Sequence, residues 1–483
     1  MTDAAPAGGL RRVAIDPLSR VEGHGKVTLL LDEAGIVRQA RLHIVEFRGF
    51  EKFIQGRPYW EVPVMVQRLC GICPVSHHLA ASKAFDHVVG ATRLTPTAEK
   101  MRRLMHYGQM LQSHALHFFH LASPDLLFGF DSDAGRRNIV GIAAVYPELA
   151  RRGVLLRKLG QEVIRMTAGK RIHGTGAVPG GVNRNLSTGD RAELRALVPN
   201  AVDWAAEAIG LVRSLFEANL PLYRNFATFP ASRLSLVRAD GAMDLYDGLI
   251  RARSATGETL LDDVDCAEYW NYLLEEVRPW SYMKFPFLKA LGPERGWYRV
   301  GPLSRVTNCD FIPSPRAEAA RREFLAFDDG RAARATLGFH WARMIEMLHA
   351  AEIIGELLED DDLSGTELLA GGPRAARGVG VIEAPRGTLI HHYRVGEDDM
   401  VVRANLIVST THNNEAMNLA IREVARRFLD GRTLTEGLLN HIEVAIRAFD
   451  PCLSCATHAL GQMPLALELL DADGRVIDRM RKD

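Results

Sequence analysis

No apolar run in this chain reaches the length of about eighteen residues that a membrane-spanning helix needs, so no membrane insertion is expected. No basic segment followed by an apolar core opens the sequence, so no secretory leader is read and the protein is expected in the cytoplasm. An excess of one charge is also missing. The 59 Lys and Arg balance 59 Asp and Glu, and the formal net charge is zero. That excludes the basic stripe of a nucleic-acid channel. Cysteine is scarce, six in 483 residues, which excludes a disulfide-stapled scaffold. Nucleotide fingerprints are absent as well. The glycine-rich loop Gly174–Gly181 fails the GxGxxG spacing, Pro179 interrupts it, and no GxxxxGK[ST] loop occurs.

What cysteine there is falls in an ordered place. Four of the six form two C-x-x-C pairs near opposite ends of the chain: Cys70 and Cys73 in RLCGICPVSHHLA, Cys452 and Cys455 in DPCLSCATH. Pro74 suits the first turn of a helix, and Val75, Leu79, Phe85 and Val89 recur at roughly helical spacing. Cys73 is thus expected at a helix mouth, where free N–H groups and the helix dipole favour a thiolate. A single C-x-x-C is weak evidence. Two that close a loop of almost the whole chain suit a site around which the fold is built. Four thiolates can hold zinc, an iron–sulfur cluster or a soft-ligand nickel site. A thioredoxin-like redox pair explains one motif but not both.

An apolar content of 47% supports a large core. The periodicity predicts a mostly α fold with smaller β-hairpin regions, an α+β class. Lys26–Leu31 and Ile36–Val45 flank the turn Asp32–Gly35 as one hairpin. The apolar run after Thr388 returns through Asp398 and Asp399 into Val401–Val408 as a second. Long helices are expected over Ala98–Leu121, 189–218, 315–359 and 415–449. In the first of these, His106, His114, His117 and His120 read better as hydrogen-bonding core groups than as metal ligands. Cys266 and Cys309 read as buried thiols. With no repeat and no linker, residues 1–483 are expected to form a single interwoven unit.

The segments RVEGH, FRGFE, RLCGICPVSH, APRG and DPCLSCATH, in that order, resemble the large subunit of nickel–iron hydrogenases. The likeness runs from about Val13 to the C-terminus and is strongest to the cytoplasmic, pyridine-nucleotide-linked branch. It implies long central helices, with N- and C-terminal segments meeting at a metal site. It implies an enzyme that splits H2 reversibly and heterolytically into protons and electrons. Cys70 and Cys452 would be terminal nickel ligands, while Cys73 and Cys455 would bridge nickel to an iron carrying carbon monoxide and cyanide. His77 would bond a bridging sulfur, Arg386 would stand over the open coordination position, Asp450 would anchor Arg386, and Thr410 would donate to an iron cyanide. Cys452 would take the proton from H2, with Arg386 as the alternative base, and Glu22 would carry it outward. Glu51 and His458 would hold magnesium.

No NAD, flavin or iron–sulfur cluster is expected within this chain. The resemblance instead implies flavin-containing diaphorase subunits together with an iron–sulfur small subunit, which carry electrons on to NAD(P). A maturation endopeptidase would cut after His458 and remove residues 459–483. Until then the extension is expected to hold Cys452 and Cys455 away from Cys70 and Cys73. The alternative is a structural metalloprotein, or a quinone-oxidoreductase-like scaffold subunit, without hydrogen chemistry.

Overall fold

Pro74 opens a helix that runs to Val88, with Cys73 at its N-cap, in the computed structural model of the chain. The structure describes residues 11–457 except 432 and 434, and the backbone strands Leu465–Leu470 and Val476–Lys482. Helix Pro74–Val88 lies directly on strand Arg377–Ala384. That strand belongs to an antiparallel sheet completed by Gly387–Val395 and Val401–Ile407. Glycine makes the close contact possible. A Cβ on Gly378 would stand 1.8 Å from the Ala84 carbonyl oxygen, and one on Gly380 would stand 2.0 Å from that of Ala80. Strand and helix therefore run in opposite directions, and the turn carrying Arg386 emerges beside Cys73.

The N-terminal strands Arg11–Ile15, Gly25–Leu31 and Val37–Ile44 form an antiparallel meander. Its second connection is the predicted hairpin, closed by the Asp32 carboxylate accepting from the Ile36 N–H at 2.9 Å. Val27, Leu29 and Leu31 alternate onto one fully buried face. A further sheet joins Tyr298–Arg299, Ser232–Val237, Leu249–Arg253 and Thr259–Val264 in that order.

The helical body packs Pro96–Leu116, Pro147–Ala168, Thr188–Ala218 and Gly338–Glu359 together. Every residue from Gly338 to Ala351 is buried, so this helix runs through the core rather than along its surface. The continuous helix expected over 315–359 is in fact two, Pro315–Ala326 and Gly338–Glu359. Asp328 and Asp329 between them turn left-handed, at φ 50° and 53°. The helix expected over 415–449 is likewise divided into Asn414–Val424, a π turn at Ala425–Leu429, and Glu436–Ala448. Among the described residues no helix is long and apolar enough to cross a membrane.

The histidines of helix Pro96–Leu116 and the turn after it do not converge on an ion. His106 bonds the Leu245 and Glu383 carbonyls, His114 bonds Glu346, and His117 bonds the Arg447 carbonyl. Burial pushes His106, His114 and His349 down to about 4, and His340 and His412 to about 3. The neutral rings are native, whereas an unfolded chain would protonate them near the ordinary value of about 6.5. The unfolded state therefore binds more protons between those limits, and native stability must fall as pH drops from about 6.5 toward 4. The unfolding free energy, read from denaturation midpoints, should decline more steeply than the roughly 1.4 kcal/mol per pH unit that a single histidine allows. Midpoints that stay level from about pH 7 to about pH 5 would contradict this.

Candidate metal centre

Two short local structures present the four thiols. The turn after Leu69 folds so that Cys70 Sγ accepts from the N–H groups of Ile72 and Cys73, at 3.2 and 3.1 Å. At the other end, helix Glu436–Ala448 stops and Asp450 turns left-handed at φ 54°, directing the following segment inward. The Cys452 N–H then donates to Thr410 Oγ1 at 3.0 Å. The result is a closed cluster. Cys70 and Cys452 sulfurs lie 3.3 Å apart, Cys73 and Cys455 3.8 Å, and all four fall within 4.8 Å of one another, buried. It is the one group of three or more potential ligands that meets this criterion among the described residues. Residues 458–464, which join the extension to this cluster, lie outside the described residues. The Thr457 carbonyl accepts from the N–H groups of Arg48 and Gly49, at 3.2 and 3.3 Å, fixing the chain ahead of the extension.

Electrostatics make the cluster a cation site. Hydrogen bonds from Cys452, Cys455 and Cys70 hold Cys73 well below the usual thiol range, while burial pushes Cys452 and Cys455 well above it. Four thiolates cannot share a dry pocket unless a cation neutralises them, and soft sulfur donors suit a soft or borderline metal. The adjoining cavity is small, about 10 Å³, and is lined by Cys73, His77, Arg386, Ser409, Thr410 and Cys452 among others. Arg386 Nη1 is buried there without a hydrogen-bond partner among the described residues. The donor set and this unused N–H fit a metal centre whose own ligands can accept a hydrogen bond.

Arg386 donates from Nε to the Asp450 carbonyl at 2.6 Å and from Nη2 to its carboxylate at 3.1 Å. Burial opposes its charge, but Asp450 and the sulfurs outweigh that and keep the guanidinium protonated. His77 sits 3.2 Å from His391, and His391 lies 2.7 Å from the Tyr393 hydroxyl. Sequence reading missed His391. The signal available was strand alternation, which puts Leu389, His391 and Tyr393 on one face.

Glu22 reaches the centre from the N-terminal segment. Its backbone bridges to Cys452, and its carbonyl accepts from the Leu453 N–H at 3.0 Å. Its carboxylate accepts from Cys452 Sγ at 2.9 Å and from the Ser454 hydroxyl. Arg447 ties this segment down by donating to the Ser19 carbonyl at 3.1 Å and its hydroxyl at 2.9 Å. The predicted magnesium ligand Glu51 stands outside the cavity lining, buried, with Oε1 accepting from the Leu406 N–H at 2.8 Å. Its predicted partner His458 lies outside the described residues.

A further group, invisible in the sequence, braces the Arg386 turn. Arg305 makes two bonds to Glu346, at 2.6 and 2.5 Å, and one to Glu383 at 2.8 Å. It also donates to the carbonyls of Ala384 and Pro385, at 2.8 and 3.3 Å. All three charged side chains are essentially inaccessible to water.

Comparison with known proteins gives consistent relatives. A family model described as nickel-dependent hydrogenase matches residues 48–128 and 257–458, and one described as HoxL-like matches residues 12–47. The NAD-reducing hydrogenase HoxS subunit beta of Cupriavidus necator is 48% identical, covering 97% of this chain and 99% of that protein. The matching polypeptide of the F420-non-reducing hydrogenase of Methanothermobacter thermautotrophicus is 41% identical, covering 97% of this chain and all (100%) of that one. A crystal structure of NAD+-reducing [NiFe]-hydrogenase in the H2-reduced state superimposes with a TM-score of 0.92 at 64% identity. That match covers 93% of this chain and 100% of the other.

Proposed function

The chain belongs to the nickel-dependent hydrogenase family as its large, catalytic subunit, and from that premise we propose how its residues divide the work. The observation that carries the reading is the closed cluster of four buried sulfurs beside a protonated, partly unsatisfied arginine. Cys70, Cys73, Cys452 and Cys455 hold nickel and iron, the iron carrying carbon monoxide and cyanide. When bound, these metals supply the Lewis acid that polarises H2 and the path by which two electrons leave. Cys452 Sγ receives the proton, and its contact with Glu22 supports a handover to that carboxylate, which is only partly buried and opens the way outward. Arg386, held by Asp450, keeps a fixed positive charge over the cavity. The Thr410 oxygen fixes the Cys452 backbone and leaves its hydrogen free to donate into the cavity. His77 bonds the Cys73 sulfur and is steadied by His391.

Glu51 binds magnesium together with His458. The support is the bonding of the Thr457 carbonyl by the Arg48 and Gly49 N–H groups, which sets the residue before His458 beside the N-cap of the helix bearing Glu51. Electrons pass to an iron–sulfur small subunit, then through flavin-containing subunits to NAD(P) in the cytoplasm. The motif cysteines are committed to one centre, and the half-exposed Phe47 and Trp60 flank the segment leading to Cys70 as apolar anchors for a partner. The main test is metal content with isotope exchange. The purified complex should contain nickel, iron and magnesium and exchange deuterium gas with water protons. Zinc in place of nickel, or no exchange in metal-replete complex, would sink the reading.

Residues 1–458 act as one unit, and an endopeptidase removes 459–483 after metal loading. Intact mass of the active complex should end at His458. A fully active, nickel-replete chain ending at Asp483 would refute the processing step.

A further inference from the structure

The sheet that positions Arg386 also carries a row of charge that hydrogen chemistry does not use. Arg377 stands in register with Arg394 across the first two strands, and Arg394 with Arg403 across the next pair. All three line one cleft. Residues directly opposite in an antiparallel ladder have Cβ atoms about 4.5–5.5 Å apart, and like charges there repel. A protein normally offsets such a row with carboxylates. None of these three arginines makes an ion pair among the described residues. The one carboxylate lining the cleft, Glu275, is engaged by Lys284 at 3.0 Å.

The cleft is shaped as well as charged. Its volume is about 620 Å³, inside the range of roughly 300–1,000 Å³ common to small-molecule sites. Arg377 lies over the Trp270 ring, 4.3 Å from its centroid, and Trp270 stacks on His392 at 5.3 Å. That contact orients the guanidinium plane and leaves its N–H edge free.

We propose that this cleft binds a phosphate-bearing small molecule through Arg377, Arg394 and Arg403. Guanidinium forks match phosphate oxygens in pairs, and a multiply charged anion would remove the repulsion along the row. A concave site favours a small ligand over a protein face. The proposal is independent of the hydrogen reaction.

The test is calorimetric titration of the purified, metal-loaded complex with inorganic pyrophosphate and, separately, ADP at low salt. Saturable binding at one site per large subunit is expected, weakened at least about tenfold by Arg394→Thr and by Arg403→Thr. Hydrogen uptake without ligand should not change. Because each substitution removes repulsion, the ligand-free variants should melt no lower than the parent while losing the ligand-induced rise. Equal affinity for the two probes places recognition on the phosphates, and tighter ADP binding extends it to the base and sugar. Either supports the site. Absence of saturable binding, or affinity unchanged in the variants, overturns it. Loss of a partner subunit from the variant complexes also overturns it, since the row would then be a protein-docking face.

Discussion

Glu22→Gln should leave a complex with its full nickel and iron content and a hydrogen turnover lower by roughly 10²–10⁴-fold. The amide has the shape of the carboxylate. The Glu22 carbonyl would still accept from the Leu453 N–H, and the side chain could still accept from the Ser454 hydroxyl. What disappears is a group that can take a proton from Cys452 Sγ, now 2.9 Å away, and release it again. Deuterium exchange with water and hydrogen uptake should fall together, with metal content as the control. Near-parental turnover in a fully metallated variant would remove Glu22 from the proton path.

The second large effect is on stability. Glu346→Gln should destabilise the chain by roughly 3–5 kcal/mol, because it leaves Arg305 buried with Glu383 as its sole carboxylate partner. Both side chains are at or below 1% exposure, so water cannot take over the lost role. Burial alone would raise the Glu346 carboxyl, but Arg305 outweighs burial and holds it at about 2. Its folded pKa is depressed, so its stabilising contribution is complete above the ordinary carboxylate value of about 4.3. It is lost as pH falls through about 2. The gap between parent and variant should therefore be constant above about pH 5. Denaturant titration reads it, and a loss under about 1 kcal/mol would mean that Arg305 is satisfied another way. Because Arg305 also holds the Ala384 and Pro385 carbonyls, activity should decline as the Arg386 turn loosens.

Local chemistry made part of this molecule legible in advance. Asp32–Gly35 and the pair Asp398-Asp399 carry turn residues, and hairpins form at both. Pro74 after Cys73 marks a helix start, and the helix begins there. The break after Ala326 carries the same turn chemistry in Asp328-Asp329-Gly330, but the Ala- and Arg-rich helical pattern on either side masked it, and Asp328 and Asp329 turn left-handed there. The four cysteines stood out through repeated spacing. The brace of Arg305, Glu346 and Glu383 did not, since its members lie 41 and 78 positions apart with no shared motif. The row Arg377, Arg394, Arg403 was equally hidden. Only strand register, a property of pairing rather than of either strand alone, sets those residues side by side.

The separation of Cys70 from Cys452 by 382 positions also sets a schedule for biosynthesis. At a ribosomal rate of about 5–20 residues per second, the first thiol pair emerges some twenty to eighty seconds before its partners exist. Throughout that interval Cys70 and Cys73 are two neighbouring thiols on a nascent chain, without the opposing sulfurs to enclose them. No four-sulfur site can be filled before Cys455 has been made. Delivery of metal to all four sulfurs must wait for the second pair, and the reducing state of the surroundings must protect the first pair from oxidation until then.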